Sequence, residues 1–258
     1  MNGFLEDLKG SFAILSNADV MSYLMRGLMF TLVISVMAIV FSLLLGVVLA
    51  LARNYCTHGP ARILRKIASI YIELFRNTPL MLGMFVCLVM CPAPAVSKKF
   101  AELLGMSSTV AVKTLFKAIV ALTLFTSAIM AEIIRGGLNS VAKGQFEAAY
   151  SQGFGMWQTM KLIVLPQALR NIVPTLLSQM ITTIKDSSYM ASLVTVELMA
   201  CTKLIISKAN AYNGTWVDRF NRGTIHVTDV FVLFGFAFLA YFAINFTLSC
   251  IVRRMRRR

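Results

Sequence analysis

The chain has 258 residues, of which 58% are hydrophobic and 14% are charged. Soluble domains carry about 25% charged residues, so this composition excludes a soluble, disordered or disulfide-stabilised class and predicts an all-α integral membrane protein. The formal net charge is +14. The basic residues lie in the gaps between apolar runs, which is typical of membrane flanks and argues against a nucleic-acid partner.

The N-terminal part of the chain, residues 1–26, predicts a short helix on the outer membrane surface. Its apolar residues recur at helical spacing beside charged residues; they are Phe4, Leu5, Leu8, Phe12 and Leu15. This arrangement is typical of interfacial helices. The first long apolar run follows, from Gly27 to Ala52, with no charge inside it. As a helix it would be ~38 Å long, which is enough to cross a bilayer core of ~30 Å.

Four further apolar runs bring the prediction to about five transmembrane helices within a single transmembrane domain, 27–252. The runs are 79–96, 115–134, 169–184 and 227–252. We expect Pro166 to stand at the first helical position before the fourth span, and Pro174 to kink that span. Segment 190–206 is apolar but contains two charged residues, and it predicts a short embedded or outer-surface helix.

The distribution of basic residues predicts the orientation of the chain. Five of the last six residues are arginine, which makes 253–258 a basic tail. Segments 53–76 and 135–170 also carry several Lys and Arg residues. Because cytoplasmic loops are enriched in Lys and Arg, the C-terminus is expected in the cytoplasm and the N-terminus outside it.

A pattern between the third and fourth runs is the most informative part of the chain. It consists of Glu147-Ala148-Ala149, three residues, Gly153, nine residues, and Ile163-Val164-Leu165-Pro166. We interpret the Glu-Ala-Ala stretch as a helix start, because an acid is stabilised near the positive end of a helix. Gly153 permits a sharp turn, and Pro166 begins the next span. A short helix with an apolar face at this point suits a groove on a soluble partner.

This pattern resembles the EAA loop of the permease subunits of bacterial ATP-binding-cassette importers. The flanking stretches are similar to those of the branch that takes up polar amino acids; they are 75–80, with Asn77 in place of the family's Gly, 131–137, 144–147, 166–170 and 185–188. The resemblance covers about residues 22–200 and the last span. It implies a type I importer permease fold in the bacterial inner membrane.

The resemblance also implies partners and a coupling loop, 136–166, that docks into a separate ATPase. The expected partners are an ATPase dimer, a second permease that is either identical or homologous, and an amino-acid-binding protein outside the cytoplasm. The ATPase-coupling residues would be Glu147, Ala148, Ala149, Gly153, Ile163, Leu165 and Pro166. The chain has no G-x-x-x-x-G-K-[ST] phosphate loop, so we expect no enzyme activity and no cofactor on this chain.

Substrate contact is predicted at the end of the fourth span, where Lys185, Asp186, Ser187 and Ser188 follow one another. Together they offer the donors and acceptors that an amino-acid zwitterion requires. The alternative is that Lys185 and Asp186 pair with neighbouring residues and do not contact the substrate. Overall resemblance favours glutamate, aspartate or glutamine. Glu132 and Arg135 are expected to form a structural i,i+3 ion pair.

The runner-up function is a secondary transporter or channel that works without an ATPase, and a membrane enzyme is third. Secondary transporters often contain inverted repeats, and none is visible in this chain. The five cysteines and two histidines lack the spacing of metal ligands or of a catalytic triad. An importer permease therefore remains the leading interpretation of the sequence.

Overall fold

The computed structural model describes residues 8–56, 58–104, 106, 108–193, 196–211 and 226–256, and every regular element in them is helical. The α-helices are α1 (Ala13–Ser16), α2 (Ala18–Tyr55), α3 (Ala61–Asn77), α4 (Leu80–Met90), α5 (Lys98–Leu103), α6 (Thr109–Asn139), α7 (Lys143–Ser151), α8 (Met156–Thr159), α9 (Leu165–Asp186), α10 (Leu198–Ala211) and α11 (Val227–Arg256). A π-helical turn, Met160–Val164, joins α8 to α9, and a 3-10 helix, Ser187–Leu193, follows α9. The predictions made for Phe4, Leu5, Arg257 and Arg258 lie outside the described residues.

Three of the described helices, α2, α6 and α11, are long and apolar enough to cross a membrane. They confirm the first, third and fifth predicted runs as helices. Helices α3 and α4 form a fourth candidate only as a pair, because they are bent by 117° at the break between them. The chain is therefore an all-helical protein with three candidate spans in its described part, or four when the bent pair counts as one.

The second predicted run, 79–96, is not one straight helix. Helix α4 ends at Met90, and its 11 residues reach only ~16 Å, about half of a bilayer core. Pro92 and Pro94 follow directly, and proline removes the N–H group that a continuing helix needs. The fourth run does form a helix, α9, with Pro174 inside it. Its crossing of the membrane and its kink stay predictions.

Helix α3 is an amphipathic helix that the sequence analysis treated only as a basic inner segment. Its outward-facing apolar residues are Ile63, Leu64, Ile67, Ile70 and Leu74. On the opposite side, Ala68 and Ile72 are buried. The Tyr71 hydroxyl donates to the carbonyl of Leu124 at 2.9 Å, which fixes α3 against α6. The basic residues of this segment therefore lie on a packed helix and not in a loop.

The chain divides into two compact units. Unit A comprises Met1–Val36, Cys87–Ile119 and Ile184–Thr247. Its core is formed by Ile14, Val20, Leu24, Leu198, Cys201, Ile205, Leu233 and Ala237. A Cβ atom at Gly27 would lie 2.8 Å from the sulfur of Cys201, so α2 and α10 approach each other closely because this position has no side chain.

The structure of unit A explains why an acid, Glu197, lies buried inside an apolar segment. Its carboxylate accepts hydrogen bonds from the N–H groups of Met199 and Ala200, at 2.8 and 2.6 Å, at the start of α10. The Tyr241 hydroxyl donates to the same carboxylate at 3.0 Å. Glu197 therefore caps a helix whose first N–H groups would otherwise lack partners in an apolar surrounding.

Unit B comprises Met37–Val86, Val120–Thr183 and Leu248–Arg258. Its core joins α2, α3, α6 and the π-turn with α9 through Leu49, Ala50, Ala68, Ile72, Met130, Ala131, Ile134, Leu138, Val141, Val164, Ala168, Ile172 and Leu176. A Cβ atom at Gly137 would lie 2.1 Å from the Ile172 side chain. Small residues thus allow the close helix contacts within this unit.

Three arginines share the carboxylate of Glu132 in unit B. Arg135 pairs with it at 2.8 Å, which confirms the predicted i,i+3 pair. Arg53 of α2 also binds this carboxylate, and Arg76 of α3 lies 3.7 Å from it. Glu73, whose side chain is 63% exposed, accepts a second contact from Arg53 at 3.3 Å. Glu132 is therefore the central charge that connects α2, α3 and α6.

The variant Glu132→Gln is expected to lower the free energy of unfolding by about 3 kcal/mol. It leaves three guanidinium groups around a side chain of which only 15% is exposed, without the neutralising charge. Glu73→Gln is the matched control and should cost less than about 1 kcal/mol, because that pair is solvated. Unfolding of the purified chain in detergent micelles measures both values. Equal losses for the two variants would contradict a central role for Glu132.

Candidate functional site

The segment with the Glu-Ala-Ala pattern folds as a helix, a turn and a second helix, all within unit B. Helix α7 begins at Lys143, so Glu147 lies in its middle and not at its start. The interpretation of Glu147 as part of a helix start is therefore wrong. Helix propensity does not set the start of α7, since Gly144 lies in its first turn. Glu147 and Ala148 are exposed, whereas Ala149 is buried.

Gly153 forms the turn that ends α7. Its φ of +82° lies in the left-handed region, which glycine adopts without steric cost. The N–H of Gly153 donates to the carbonyl of Tyr150 at 3.0 Å, and the N–H of Phe154 donates to the carbonyl of Ala149 at 3.1 Å. These two bonds form a Schellman motif, which satisfies carbonyls at the end of the helix. The predicted sharp turn at Gly153 is confirmed.

Pro166 does not begin a new helix. The helical backbone runs from Met156 through the π-turn Met160–Val164 into α9, so ten helical residues precede Pro166. Proline lacks an N–H group and its ring crowds the carbonyl four residues earlier. A π-turn directly before Pro166 places the irregular hydrogen bonding where proline would disturb an α-helix. The prediction for Pro166 is corrected accordingly.

Four motif residues meet at one cleft of about 420 Å³. Ala148 and Ala149 line it from α7, and Ile163 and Pro166 line it from the other arm. The remaining lining residues are Gln145, Gln152, Leu162, Gln167 and Arg170. The other three motif residues, Glu147, Gly153 and Leu165, lie outside the lining. The spacing of the pattern thus places its two ends side by side.

Polar side chains tie the two arms together, and the sequence analysis missed them. Gln167 donates from Nε2 to Oε1 of Gln145 at 3.1 Å, and Asn171 donates to the Ser140 hydroxyl at 2.9 Å. Gln145 and Gln167 belong to stretches that resemble the family. That resemblance was the only available signal, because no spacing rule pairs residues that are 22 positions apart.

Large apolar side chains project from the turn and from its two flanking helices. Trp157 is 84% exposed, Met156 is 54% exposed and Tyr150 is 46% exposed. The Tyr150 hydroxyl lies 3.0 Å from the sulfur of Met156, which holds both sides of the turn in contact. An exposed apolar surface of this kind marks a site of protein interaction or membrane contact.

The predicted substrate residues lie in unit A. Lys185 and Asp186 end α9, and Ser187 and Ser188 begin the 3-10 helix. A cavity of about 350 Å³ is lined by Lys185 and Ser188 together with Met199, Phe234, Phe238 and Tyr241. Asp186 is half-buried, and Ser187 is buried with its hydroxyl bonded to the carbonyl of Ile184 at 2.7 Å. The structure therefore brings two of the four residues to a cavity.

Residues 42–258 match the family described as binding-protein-dependent transport system inner membrane component. The chain belongs to this family. The Bacillus subtilis (strain 168) protein named "Probable glutamine ABC transporter permease protein GlnP" is 33% identical over 238 residues, which are 92% of this chain and 94% of that protein. The "Glutamate/aspartate import permease protein GltK" of Escherichia coli O157:H7 is 34% identical over 236 residues, which are 92% and 93% of the two chains.

Solved transporter structures share the fold. The "Crystal structure of an amino acid ABC transporter with histidines" contains a chain that is 25% identical, with a TM-score of 0.71 and coverage of 95% of this chain and 98% of that one. The MetNI methionine ABC transporter in an inward-facing conformation matches at 20% identity and a TM-score of 0.60, over 93% and 99% of the chains. The predicted type I importer permease fold is confirmed.

Membership of this family makes the chain an inner-membrane transport component and not an enzyme. The ATPase activity of such a system lies in a separate subunit, in agreement with a sequence that contains no phosphate loop. The family also works with a substrate-binding protein. The exposed turn around Gly153 and the cavity beside Lys185 are therefore the two candidate sites of a transport subunit.

Replacing Gly153 by Val is expected to open the Schellman motif. A β-branched side chain in the left-handed region costs about 1–2 kcal/mol, which corresponds to roughly tenfold faster amide exchange by local opening. Hydrogen–deuterium exchange of the peptide that contains Gly153 and Phe154 measures it. Gly144→Val is the control, because a Cβ atom there meets nothing within 4 Å. Equal exchange in the two variants would contradict the proposed importance of this turn.

Proposed function

We propose that the chain is the transmembrane permease subunit of an ATP-binding-cassette importer for polar amino acids, with glutamine, glutamate and aspartate as the favoured substrates. The names of two relatives that each align with 92% of the chain support this substrate class. The single observation that carries the mechanism is the exposed apolar turn that the complete Glu-Ala-Ala pattern forms. Such a surface on a family member is the natural contact for the separate ATPase.

The proposed docking surface consists of α7 and the turn that follows it. Tyr150, Met156 and Trp157 supply apolar area, and the exposed carboxylate of Glu147 supplies a charge for a basic partner group. The Schellman motif at Gly153 holds this surface in one shape before docking. A preformed surface loses little conformational entropy on binding, which favours affinity.

The hydrogen bonds between the two arms make α7 a lever on α9. When the ATPase dimer closes on ATP, it displaces the docked helix α7. The Gln145–Gln167 and Ser140–Asn171 bonds, with the packing of buried Ala149, pass this displacement to α9. The inward- and outward-facing states of the permease then differ in their docking energy. Because of this difference, ATP binding shifts the populations of the two states.

The proposed orientation places the docking surface and the C-terminal arginines in the cytoplasm and the N-terminus outside. The basic ends of α2 and α11, with Arg53, Arg253 and Arg254, support it through the positive-inside rule. A second permease, identical or homologous, would complete the pathway. The substrate would arrive from an amino-acid-binding protein on the outer side.

Lys185 and Ser188 are the proposed substrate contacts. They stand at the polar side of a cavity whose other walls are Met199, Phe234, Phe238 and Tyr241. An ammonium and a hydroxyl can hold the carboxylate of an amino acid. The side chain of the amino acid would then face the aromatic wall.

Purification in mild detergent from the native membrane tests the proposed function. We expect a phosphate-loop ATPase, which docks on the apolar turn, and one or two permeases to be purified with the chain. Reconstituted vesicles should take up radiolabelled glutamine or glutamate only with ATP and a binding protein. A chain that is purified alone and still transports along an ion gradient would support a secondary transporter instead.

Uptake by the same vesicles distinguishes a defect in docking from a defect in folding. Gly153→Val should abolish ATP-driven uptake while the amount of inserted chain stays that of the wild type, since the turn and not a span is changed. Gly59→Val, which places the same side chain at another left-handed glycine that lies outside α7 and its turn, should retain uptake. Normal uptake by the Gly153 variant would contradict the lever mechanism and leave the family assignment intact.

Lys185→Gln is expected to raise the substrate concentration for half-maximal uptake about tenfold, because a charge-assisted hydrogen bond to the substrate is lost. Lys203→Gln, an exposed lysine of α10 outside the cavity lining, is the control and should change this value less than twofold. An unchanged value for Lys185→Gln would remove this cavity from the substrate path.

A further inference from the structure

A second concavity in unit B shares only Leu162 with the cleft of the Glu-Ala-Ala pattern and has no assigned role. It has a volume of about 1070 Å³, at the upper end of the range for small-molecule pockets. Helices α2, α6, α8 and α9 and the π-turn line it with Leu43, Val47, Leu51, Ile134, Leu138, Trp157, Gln158, Met160, Lys161, Leu162, Leu165, Leu169, Ile172, Val173 and Leu176. We call it the apolar groove.

The residue types of the apolar groove differ from those of a helix-docking surface. Helix contacts within membranes are enriched in Gly, Ala, Ser and Thr, which let backbones approach closely. None of the described residues that line the groove is of these four types. Where helices of unit B do pack, such residues are present, as at Gly46 against Met130 and Gly137 against Ile172. The groove therefore suits flexible hydrocarbon better than the helix of a second permease.

The polar lining of the apolar groove lies at one end. Gln158 and Lys161 stand in the first residues of the continuous helix that starts at Met156, next to exposed Trp157. Leu176, fifteen positions after Lys161, stands ~22 Å further along the same helix. Lys161 is exposed and forms no ion pair with a carboxylate in the described part of the chain. Its charge is thus available to a ligand.

We propose that the apolar groove binds an anionic phospholipid of the surrounding bilayer. Its acyl chains lie along Leu169, Val173 and Leu176, and its phosphate group is held by the Lys161 ammonium and the Gln158 amide. The groove is complementary to an anionic lipid, because its long apolar surface suits the acyl chains and the positive charge at one end suits the headgroup. Trp157 stands beside the headgroup, the level at which indole rings are enriched in membrane proteins.

The position of the lipid gives it influence over the transport cycle. Leu162 and Leu165 of the groove lie on the π-turn and at the start of α9, the segment that follows the docking surface. A lipid in the groove therefore contacts the arm that carries motion from the turn into α9. The binding site itself does not depend on the function proposed above.

Native mass spectrometry of the full chain, purified with the subunits that accompany it, tests the proposal. Titration with phosphatidylglycerol and with phosphatidylcholine of the same acyl chains compares the two headgroups. The wild type should bind one phosphatidylglycerol about fivefold more tightly, the contribution expected of one lysine near a membrane surface. Lys161→Gln should abolish this preference, whereas Lys143→Gln, on α7 and outside the groove, should retain it.

A second pair of variants tests the acyl-chain part of the apolar groove. Leu169→Trp fills the groove and should reduce binding of both lipids, while Val48→Trp, an exposed position on α2 outside the lining, should leave both unchanged. Equal binding of the two lipids by the wild type would overturn the proposal, as would an unchanged preference for phosphatidylglycerol in Lys161→Gln. So would unchanged lipid binding by Leu169→Trp, or disulfide cross-linking of Leu169→Cys to a second permease in the membrane.

Discussion

Unit B depends on one carboxylate. Glu132 receives guanidinium groups from its own helix and from the ends of α2 and α3, so three helices meet around a charge that is largely removed from water. A carboxylate at such a place is costly unless it is paired, and Arg53, whose side chain is 23% exposed, gains most from the pairing. The surrounding core of α2, α3, α6 and α9 therefore has one arrangement that keeps these charges compensated. The turn at Gly153 and the apolar groove both lie beside that core.

The segment between α6 and α9 combines a stiff turn with a continuous helix. The left-handed conformation of Gly153 and two capping hydrogen bonds stabilise the turn. The π-turn ends just before Pro166, and the helix continues through Pro166 without a break. Side-chain amides then join α7 to α9. A force applied to the exposed surface would thus reach α9 through hydrogen bonds and packed side chains, not through a flexible loop.

Local patterns in the sequence predicted the features that local physics decides. The long spans follow from uninterrupted apolar runs, and the turn follows from a glycine at a fixed distance from Glu147. Helix α3 was missed because its basic residues alternate with exposed apolar ones, a pattern that also fits a cytoplasmic loop. The Arg53–Glu132 pair joins residues 79 positions apart, and the Gln145–Gln167 bond between α7 and α9 joins residues 22 positions apart. Neither is encoded in a short window.

The exposure of Trp157 makes its fluorescence a probe of docking. The chain contains two tryptophans, and the indole of Trp157 is 84% exposed on the surface proposed to meet the ATPase. Indole emission moves to shorter wavelength when water is replaced by an apolar surrounding. With Trp216 replaced by Phe, the remaining fluorophore would report assembly of the transporter without any attached dye. The side chain proposed to supply apolar area for docking would thus also report each encounter between the two subunits through its emission.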